Sequence, residues 1–238
     1  MTTTSLKPLT PAAQKFRRKL PRVARLIERV VMWPCKRRIR RSERVRLKVL
    51  EQTIQTVREQ HKKFCDHNLA DNIAVSNAAL YVLLFDRDFS ALKAFFLAAE
   101  NDWEKQFVGR QMAVMVYEGV QDIPNLFGKR LRAILMEYNI SEERRDELNA
   151  ATSRLARFKD EYAERLKDIR LAMGAHRDKD VMAQLRIVDT LDPMEIYGLS
   201  VKFWEPLRDL APVLTAVMLE IGSMRMLLKQ VAKGHSKW

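Results

Sequence analysis

Apolar residues recur at helical spacing through nearly the whole chain, and strand-like alternation is almost absent, so the pattern predicts an all-α protein. Residues 72–85, "NIAVSNAALYVLLF", are mostly apolar and predict one of the most buried helices, followed by a short turn over 86–90. Residues 142–173 carry charges of alternating sign around an apolar stripe, which predicts the longest charged helix, capped by Ser141. We expect a helical bundle in which Leu80 and Leu83 face the core.

Prolines supply most of the predicted helix boundaries. A proline inside a helix removes a backbone hydrogen bond and clashes with the preceding turn, so it usually begins or ends a helix. Pro34 is predicted to end an amphipathic basic helix that starts near residue 15, and Pro124 to restart the chain as a helix. Asp192 and Pro193 predict an N-cap followed by the first helical position, and the last helix is expected from near Pro206 to about residue 231.

The composition indicates a globular protein. The chain has 238 residues, of which 47% are apolar, with only 7 Gly and 8 Pro. Such a chain buries a sizeable core, and we expect a basic arm over 1–50 and a helical domain over 51–238. Cys35 and Cys65 give no disulfide framework and are typical of a reducing compartment. No apolar run approaches about 20 residues, and no secretory signal is visible, so the expected location is the cytoplasm.

The positive charge is concentrated in the arm. Residues 1–50 hold 16 of the 43 Lys and Arg but only two acidic residues, a balance of 16 − 2 = +14, which leaves 27 − 28 = −1 for the rest. Residues 36–48 alone contain eight basic residues. Within them, the densest cluster comprises Arg37, Arg38, Arg40 and Arg41, which are the candidate nucleic-acid-binding residues.

Four interpretations of the arm stay open. It is a solvated basic surface, a nucleic-acid-binding segment, an anionic-membrane-binding helix with Met32 and Trp33 as anchors, or an organellar transit peptide. The partner we expect is RNA or another nucleic acid, because arginines at helical spacing neutralise a row of phosphates.

Candidate chemistry is sparse elsewhere. His61 and Cys65 lie one helical turn apart, but a structural zinc needs four ligands and no second pair has suitable spacing. Arg110 lies among apolar residues and is interpreted as a packed and paired structural arginine, in preference to an active-site cation. There is no glycine-rich phosphate loop and no serine nucleophile motif. We therefore predict no metal and no cofactor.

One stretch, residues 164–181, combines an arginine, a glycine break and a histidine. In a continuous helix Arg170 and His176 lie about 9 Å apart along the axis and about 120° apart around it, too far to act on one atom. Gly174 ends the helical pattern between them, and glycine commonly turns a chain back at a helix end. The break is therefore expected to bring the two side chains together.

The run "RLAMGAHRD" resembles the Arg-x(4 to 6)-His signature of the HEPN superfamily, in particular its branch associated with abortive infection in bacteria. The resemblance implies a HEPN-like helical bundle with a basic helical N-terminal extension. It matches Arg170 and His176 to the catalytic arginine and histidine, with Arg177 and Asp178 in supporting positions. It also implies a defence- or toxin-related role, a symmetric homodimer with a shared cleft, and an antitoxin or other protein partner.

These residue types suit metal-independent RNA cleavage. A histidine with a pKa near neutrality takes or returns a proton at the RNA oxygens, and an arginine holds phosphate oxygens bidentately. One position departs from the family pattern, since Leu171 follows the arginine where active members usually carry a polar residue. The alternative to an endoribonuclease is therefore a non-catalytic module of the same fold that binds RNA, a nucleotide or a protein.

Overall fold

Six helices account for most of the residues that the computed structural model describes, which are 22–173, 182, 185, 189–223, 225–228 and 230. For residues 22–36, 38–40, 124, 172 and 173 it describes the backbone alone. The helices are α1 Arg22–Asp66, α2 Ala70–Ala98, α3 Asp102–Leu126, α4 Lys129–Glu137, α5 Glu142–Met173 and α6 Pro193–Ile221. These ranges contain no β-strand, and the predicted all-α fold is confirmed.

The chain divides into two units, 1–45 and 46–238, and the predicted arm over 1–50 stays a prediction. In the second unit, Leu50, Val57 and Phe64 recur every seventh residue of α1 and are buried. Polar contacts also join this part of α1 to α2. Arg87 donates to Glu51 at 3.1 Å, and His61 Nδ1 lies 2.8 Å from Ser76 Oγ.

Helices α2, α3, α5 and α6 form the bundle, and their apolar faces meet at Phe203. The Phe203 ring is fully buried and lies 5.2 Å from Phe85 on α2 and 5.3 Å from Phe158 on α5 between centroids. On α3, Gly119 leaves room for these rings, because a Cβ there would lie 2.9 Å from both Phe203 and Phe85. The core thus fixes the mutual position of four helices.

The predicted burial of residues 72–85 is confirmed. Val75, Ala78 and Val82 have almost no exposed surface, Leu83 is buried, and Leu80 packs against the core. The turn predicted over 86–90 is wrong, since α2 continues without a break to Ala98. Its apolar stripe continues through this stretch, with Phe89 and Phe96 buried, and burial outweighs the local polar residues.

Three of the proline boundaries are wrong. Pro34, Pro124 and Pro206 lie inside α1, α3 and α6, and the last helix begins at Pro193 instead of near Pro206. An internal proline costs about 3 kcal/mol, whereas fully burying one Leu or Val side chain is worth about 1.5–3 kcal/mol. Helix α6 buries a stripe of Leu, Val and other apolar side chains, and Pro206 itself is buried. The free energy gained by this burial exceeds the cost of the internal proline.

The caps agree with the sequence. The Arg144 amide donates to Ser141 Oγ at 3.4 Å, and the Met194 amide donates to Asp192 Oδ1 at 2.9 Å. Helix α5 has the predicted bounds, but at 32 residues it is shorter than α1 with 45, so the expectation that it is the longest charged helix is wrong. The continuation of α1 through Pro34 is the reason.

Two asparagines close tight connections. Asn68 and Asn139 have φ of 53° and 51°, a left-handed conformation that asparagine adopts more readily than most residues. They lie between α1 and α2 and between α4 and α5. Of the helices in the described ranges, none has an apolar stretch long enough to cross a membrane.

We expect two glycine substitutions to change stability in opposite directions. Gly119→Ala should lower the free energy of unfolding by about 1–2 kcal/mol, because the new methyl group overpacks the ring contacts of Phe203 and Phe85. Gly198→Ala, at an exposed position of α6 with open space around it, should raise that free energy by about 0.5–1 kcal/mol. Urea unfolding followed by circular dichroism measures both, and equal effects would contradict the close contact at Gly119.

Candidate functional site

Arg170 lies in the last turn of α5 and contacts α3. Its Nε donates to Glu118 Oε1 at 2.5 Å, and its Cζ lies 5.3 Å from the centroid of the Tyr117 ring. The side chains of Arg170 and Glu118 are 41% and 49% exposed, so the pair lies at the surface. Among the described residues, only Nε of this guanidinium makes a hydrogen bond, which leaves the Nη groups for other acceptors.

Helix α3 carries a second acidic residue one turn beyond Glu118. Asp122 follows Glu118 by one turn of α3 and accepts a hydrogen bond from the Tyr81 hydroxyl at 3.3 Å. Burial of the Tyr81 hydroxyl raises its pKa, and the charge of Asp122 raises it further. A phosphate that reaches Arg170 therefore meets a guanidinium already oriented by one carboxylate.

The other residues of the predicted corner, His176, Arg177 and Asp178, lie outside the described residues, as does Gly174. The predicted approach of His176 to Arg170 stays a prediction. Leu171, the residue that departs from the family pattern, lies on the surface of α5 with 56% of its area exposed. Leu171 is therefore not a core residue.

The basic stretch forms part of one continuous helix. Arg37 and Arg41 are exposed on α1, while the side chains of Arg38 and Arg40 lie outside the description. Arg44 is exposed as well, and positions 37, 41 and 44 follow the i, i+4, i+7 spacing of one helical face. These three arginines, which we call the α1 row, span about 10 Å along the axis.

A second group of cations surrounds Trp204 of α6. Arg208, Arg46 and Lys93 lie 4.7, 5.2 and 5.7 Å from the ring centroid. Asp86 accepts a hydrogen bond from Trp204 Nε1 at 2.5 Å and also pairs with Arg46. The carboxylate thus joins α1, α2 and α6. Sequence reasoning missed this group, because only the Trp204–Arg208 spacing of one turn is visible locally.

Arg110 is packed as predicted, and its predicted pairing with a carboxylate stays a prediction. Only 6% of its surface is exposed, and no described carboxylate forms an ion pair with it. Its Nε has no hydrogen-bond partner there. Its Cζ lies 5.5 Å from the Trp103 ring and 5.8 Å from the Phe107 ring. Burial lowers the pKa of Arg110 from its ordinary value.

The His61 and Cys65 stretch forms no metal site that the structure describes. Across the described ranges, no three His, Cys, Asp or Glu side chains come together as metal ligands do. The ring of His61 instead contacts Ser76 Oγ, whose hydroxyl also donates to the Asn72 carbonyl at 2.6 Å. The contact is a helix-to-helix hydrogen bond between α1 and α2.

Comparisons of the chain with protein-family models, with curated proteins and with solved structures give no match. The likeness to the HEPN superfamily therefore rests on "RLAMGAHRD" alone.

We expect removal of the Arg170 pair to have little effect on folding. Arg170→Ala should change the free energy of unfolding by less than about 1 kcal/mol, because exposed ion pairs contribute little. Asp86→Ala should lower it by about 1–3 kcal/mol, since the Trp204 N–H loses its acceptor and Arg46 loses one partner. Urea unfolding compares the two, and an equal loss in both variants would contradict the assignment of Arg170 to the surface.

Proposed function

We propose that this protein is a HEPN-like RNA-binding protein whose basic helix α1 holds the phosphate backbone. The observation that carries the proposal is the α1 row, in which Arg37, Arg41 and Arg44 are exposed at the spacing of one helical face. Three cations in a row neutralise successive phosphates and release the counterions bound to them.

The composition of the same helix favours RNA over a membrane surface. Between residues 37 and 45, the described side chains are the three arginines of the row, Ser42, Glu43 and Val45. A helix that lies in a membrane interface needs a wide apolar face opposite its cations. By sequence, this stretch has two apolar residues, Ile39 and Val45, against five arginines, so its chemistry fits phosphates and water better than acyl chains.

As a second function, we propose metal-independent cleavage of the bound RNA by Arg170 and His176. The observation that favours it is the exposed guanidinium of Arg170, which Glu118 and Tyr117 orient at the end of α5. In this proposal His176 takes the proton of a 2′-hydroxyl, whose oxygen attacks the adjacent phosphorus. The bond to the 5′-oxygen breaks, that oxygen gains a proton, and Arg170 binds the charged phosphate oxygens meanwhile.

The proposal extends to a homodimer, since the resemblance implies a cleft shared by two protomers. A symmetric pair brings two copies of Arg170 and His176 towards one groove. An antitoxin or another protein partner belongs to the same proposal.

The first expected result concerns the α1 row. Replacing Arg37, Arg41 and Arg44 together with Gln should weaken binding to single-stranded RNA of any sequence. The slope of log affinity against log salt should become shallower by about 2, because three phosphate contacts contribute about 0.7 each. Fluorescence anisotropy with a labelled oligonucleotide, measured at several salt concentrations, gives the slope.

A matched control carries the same loss of charge on the same helix. Arg58, Lys62 and Lys63 are exposed on α1 outside the row, and their joint replacement with Gln should leave the slope nearly unchanged. If both triple variants behave alike, net charge explains the binding and the row does not. If the row variant keeps its RNA affinity but loses binding to anionic vesicles, the membrane interpretation replaces this one.

The second expected result concerns cleavage. With a chelator present, the wild-type protein should cut RNA and leave 2′,3′-cyclic phosphate ends, while Arg170→Ala and His176→Ala should abolish cutting. Both variants should keep most of the affinity, because one charge is a small part of the basic surface. Gel analysis of end-labelled RNA measures the cutting, and activity that survives His176→Ala would refute the catalytic assignment while leaving the binding proposal intact.

A further inference from the structure

The molecule contains a buried arginine whose position the proposed function does not explain. Arg110 has 6% of its surface exposed, and its Nε has no hydrogen-bond partner in the part of the chain that the structure describes. A buried cation is normally paired with a carboxylate, because removing it from water is costly. Glu104, six residues earlier, is engaged in the cap of α3 through Asn101 and the Glu100 amide.

Two aromatic rings provide the contacts that Arg110 does make. Trp103, Phe107 and Arg110 follow the i, i+4, i+7 spacing and share one face of α3, with both rings within cation–π distance of the guanidinium. Trp103 and Phe107 are 60% and 52% exposed, which is unusual for rings of this size. The face therefore presents two flat apolar surfaces beside a guanidinium that has no carboxylate partner among the described residues.

The backbone under this face is held in place. Gly109 packs against the start of α6, where a Cβ would lie 3.4 Å from Pro193 Cα, and its neighbour Val108 is buried in the core. The side chains that point outward thus project from a supported helix. Stacking surfaces of this kind bind best when they need no reordering.

We infer that Trp103, Phe107 and Arg110 form a stacking site for single-stranded RNA, in which bases stack on the two rings and Arg110 binds an adjacent phosphate. The inference rests on the proposed function, because it takes RNA as the ligand. Aromatic side chains beside a cation are the common means by which proteins hold single strands without reading their sequence.

The charge of Arg110 favours this ligand over a protein surface. An apolar protein partner would cover the rings and bury the guanidinium further without supplying the anion that the described residues do not provide. A nucleic-acid strand offers a flat base for each ring and a negative charge within one nucleotide of it. A duplex is not the preferred ligand, because its bases are stacked on one another and cannot stack on the two rings.

The test compares single-stranded and duplex RNA with variants of the exposed rings. Trp103→Ala and Phe107→Ala should each weaken binding of a single-stranded oligonucleotide about tenfold, because stacking of one base is lost. The salt slope should not change, since neither ring is charged, and duplex affinity should stay within about twofold of wild type. Arg110→Gln should weaken single-strand binding and make the slope shallower by about 0.7.

Phe95 supplies the matched control, as an aromatic residue of α2 with 64% exposure. Phe95→Ala should bind single strands like wild type. Because the rings at 103 and 107 are at the surface, their variants should fold, and the result does not depend on the buried arginine.

Several outcomes would overturn the stacking site. If Trp103→Ala and Phe107→Ala bind single strands as Phe95→Ala does, the site is wrong, while the α1 row experiment can still uphold RNA binding. If they turn a dimer into a monomer in light scattering with RNA affinity unchanged, the face is a protein interface. If the wild-type protein binds no RNA at low salt, the stacking site and the proposed function both fail.

Discussion

The bundle depends on the packing around one side chain, Phe203. Its ring touches Phe85 of α2 and Phe158 of α5, and the absence of a side chain at Gly119 lets α3 approach it. Aromatic rings that meet at about 5 Å attract one another beyond the burial of their area, and they tolerate little displacement in a close-packed interior. A change at this point therefore shifts four helices at once, whereas a change on the outer face of any one of them stays local.

The candidate site around Arg170 inherits its geometry from this contact. Tyr117 and Glu118, the two residues that touch the guanidinium, directly precede Gly119 on α3. The approach of α3 to Phe203 sets the height and rotation of that helix, and so sets where the Glu118 carboxylate meets α5. A surface ion pair is weak by itself, but here both partners project from helices whose spacing the core determines. That is how an exposed arginine keeps a defined orientation at the end of a long helix.

Sequence reasoning succeeded where burial and local chemistry agree. The local sequence correctly predicted the apolar run of α2, the bounds of α5 and the caps at Ser141 and Asp192. Each of these features depends on residues that are neighbours in sequence. The prolines gave wrong helix boundaries. The free-energy cost of an internal proline is visible in the local sequence, whereas the burial that outweighs it depends on contacts with other helices. The group of cations around Trp204 could not be predicted for a related reason. Asp86 and Trp204 are 118 positions apart in sequence, and only the fold brings them together. For Arg110, the apolar neighbours predicted its packing, but nothing in the local sequence indicated that no described carboxylate pairs with it.

The α1 row and Arg110 differ in the medium around their charges, and this difference limits what each contributes to the proposed binding of RNA. An exposed arginine acts through water and salt, so its attraction extends about 10 Å at 0.1 M salt and is weak at contact. A desolvated guanidinium interacts strongly at contact, but only with an anion that fits beside the rings. The exposed arginines of the α1 row would therefore give affinity for any polyanion. The desolvated Arg110 would give preference for a strand with unstacked bases. The Trp103 and Phe107 rings already contact the Arg110 guanidinium, so a phosphate binds there best when its base also stacks on a ring. A phosphate without a base therefore gains less binding free energy than a nucleotide does. Free phosphate should be a poor substitute for RNA.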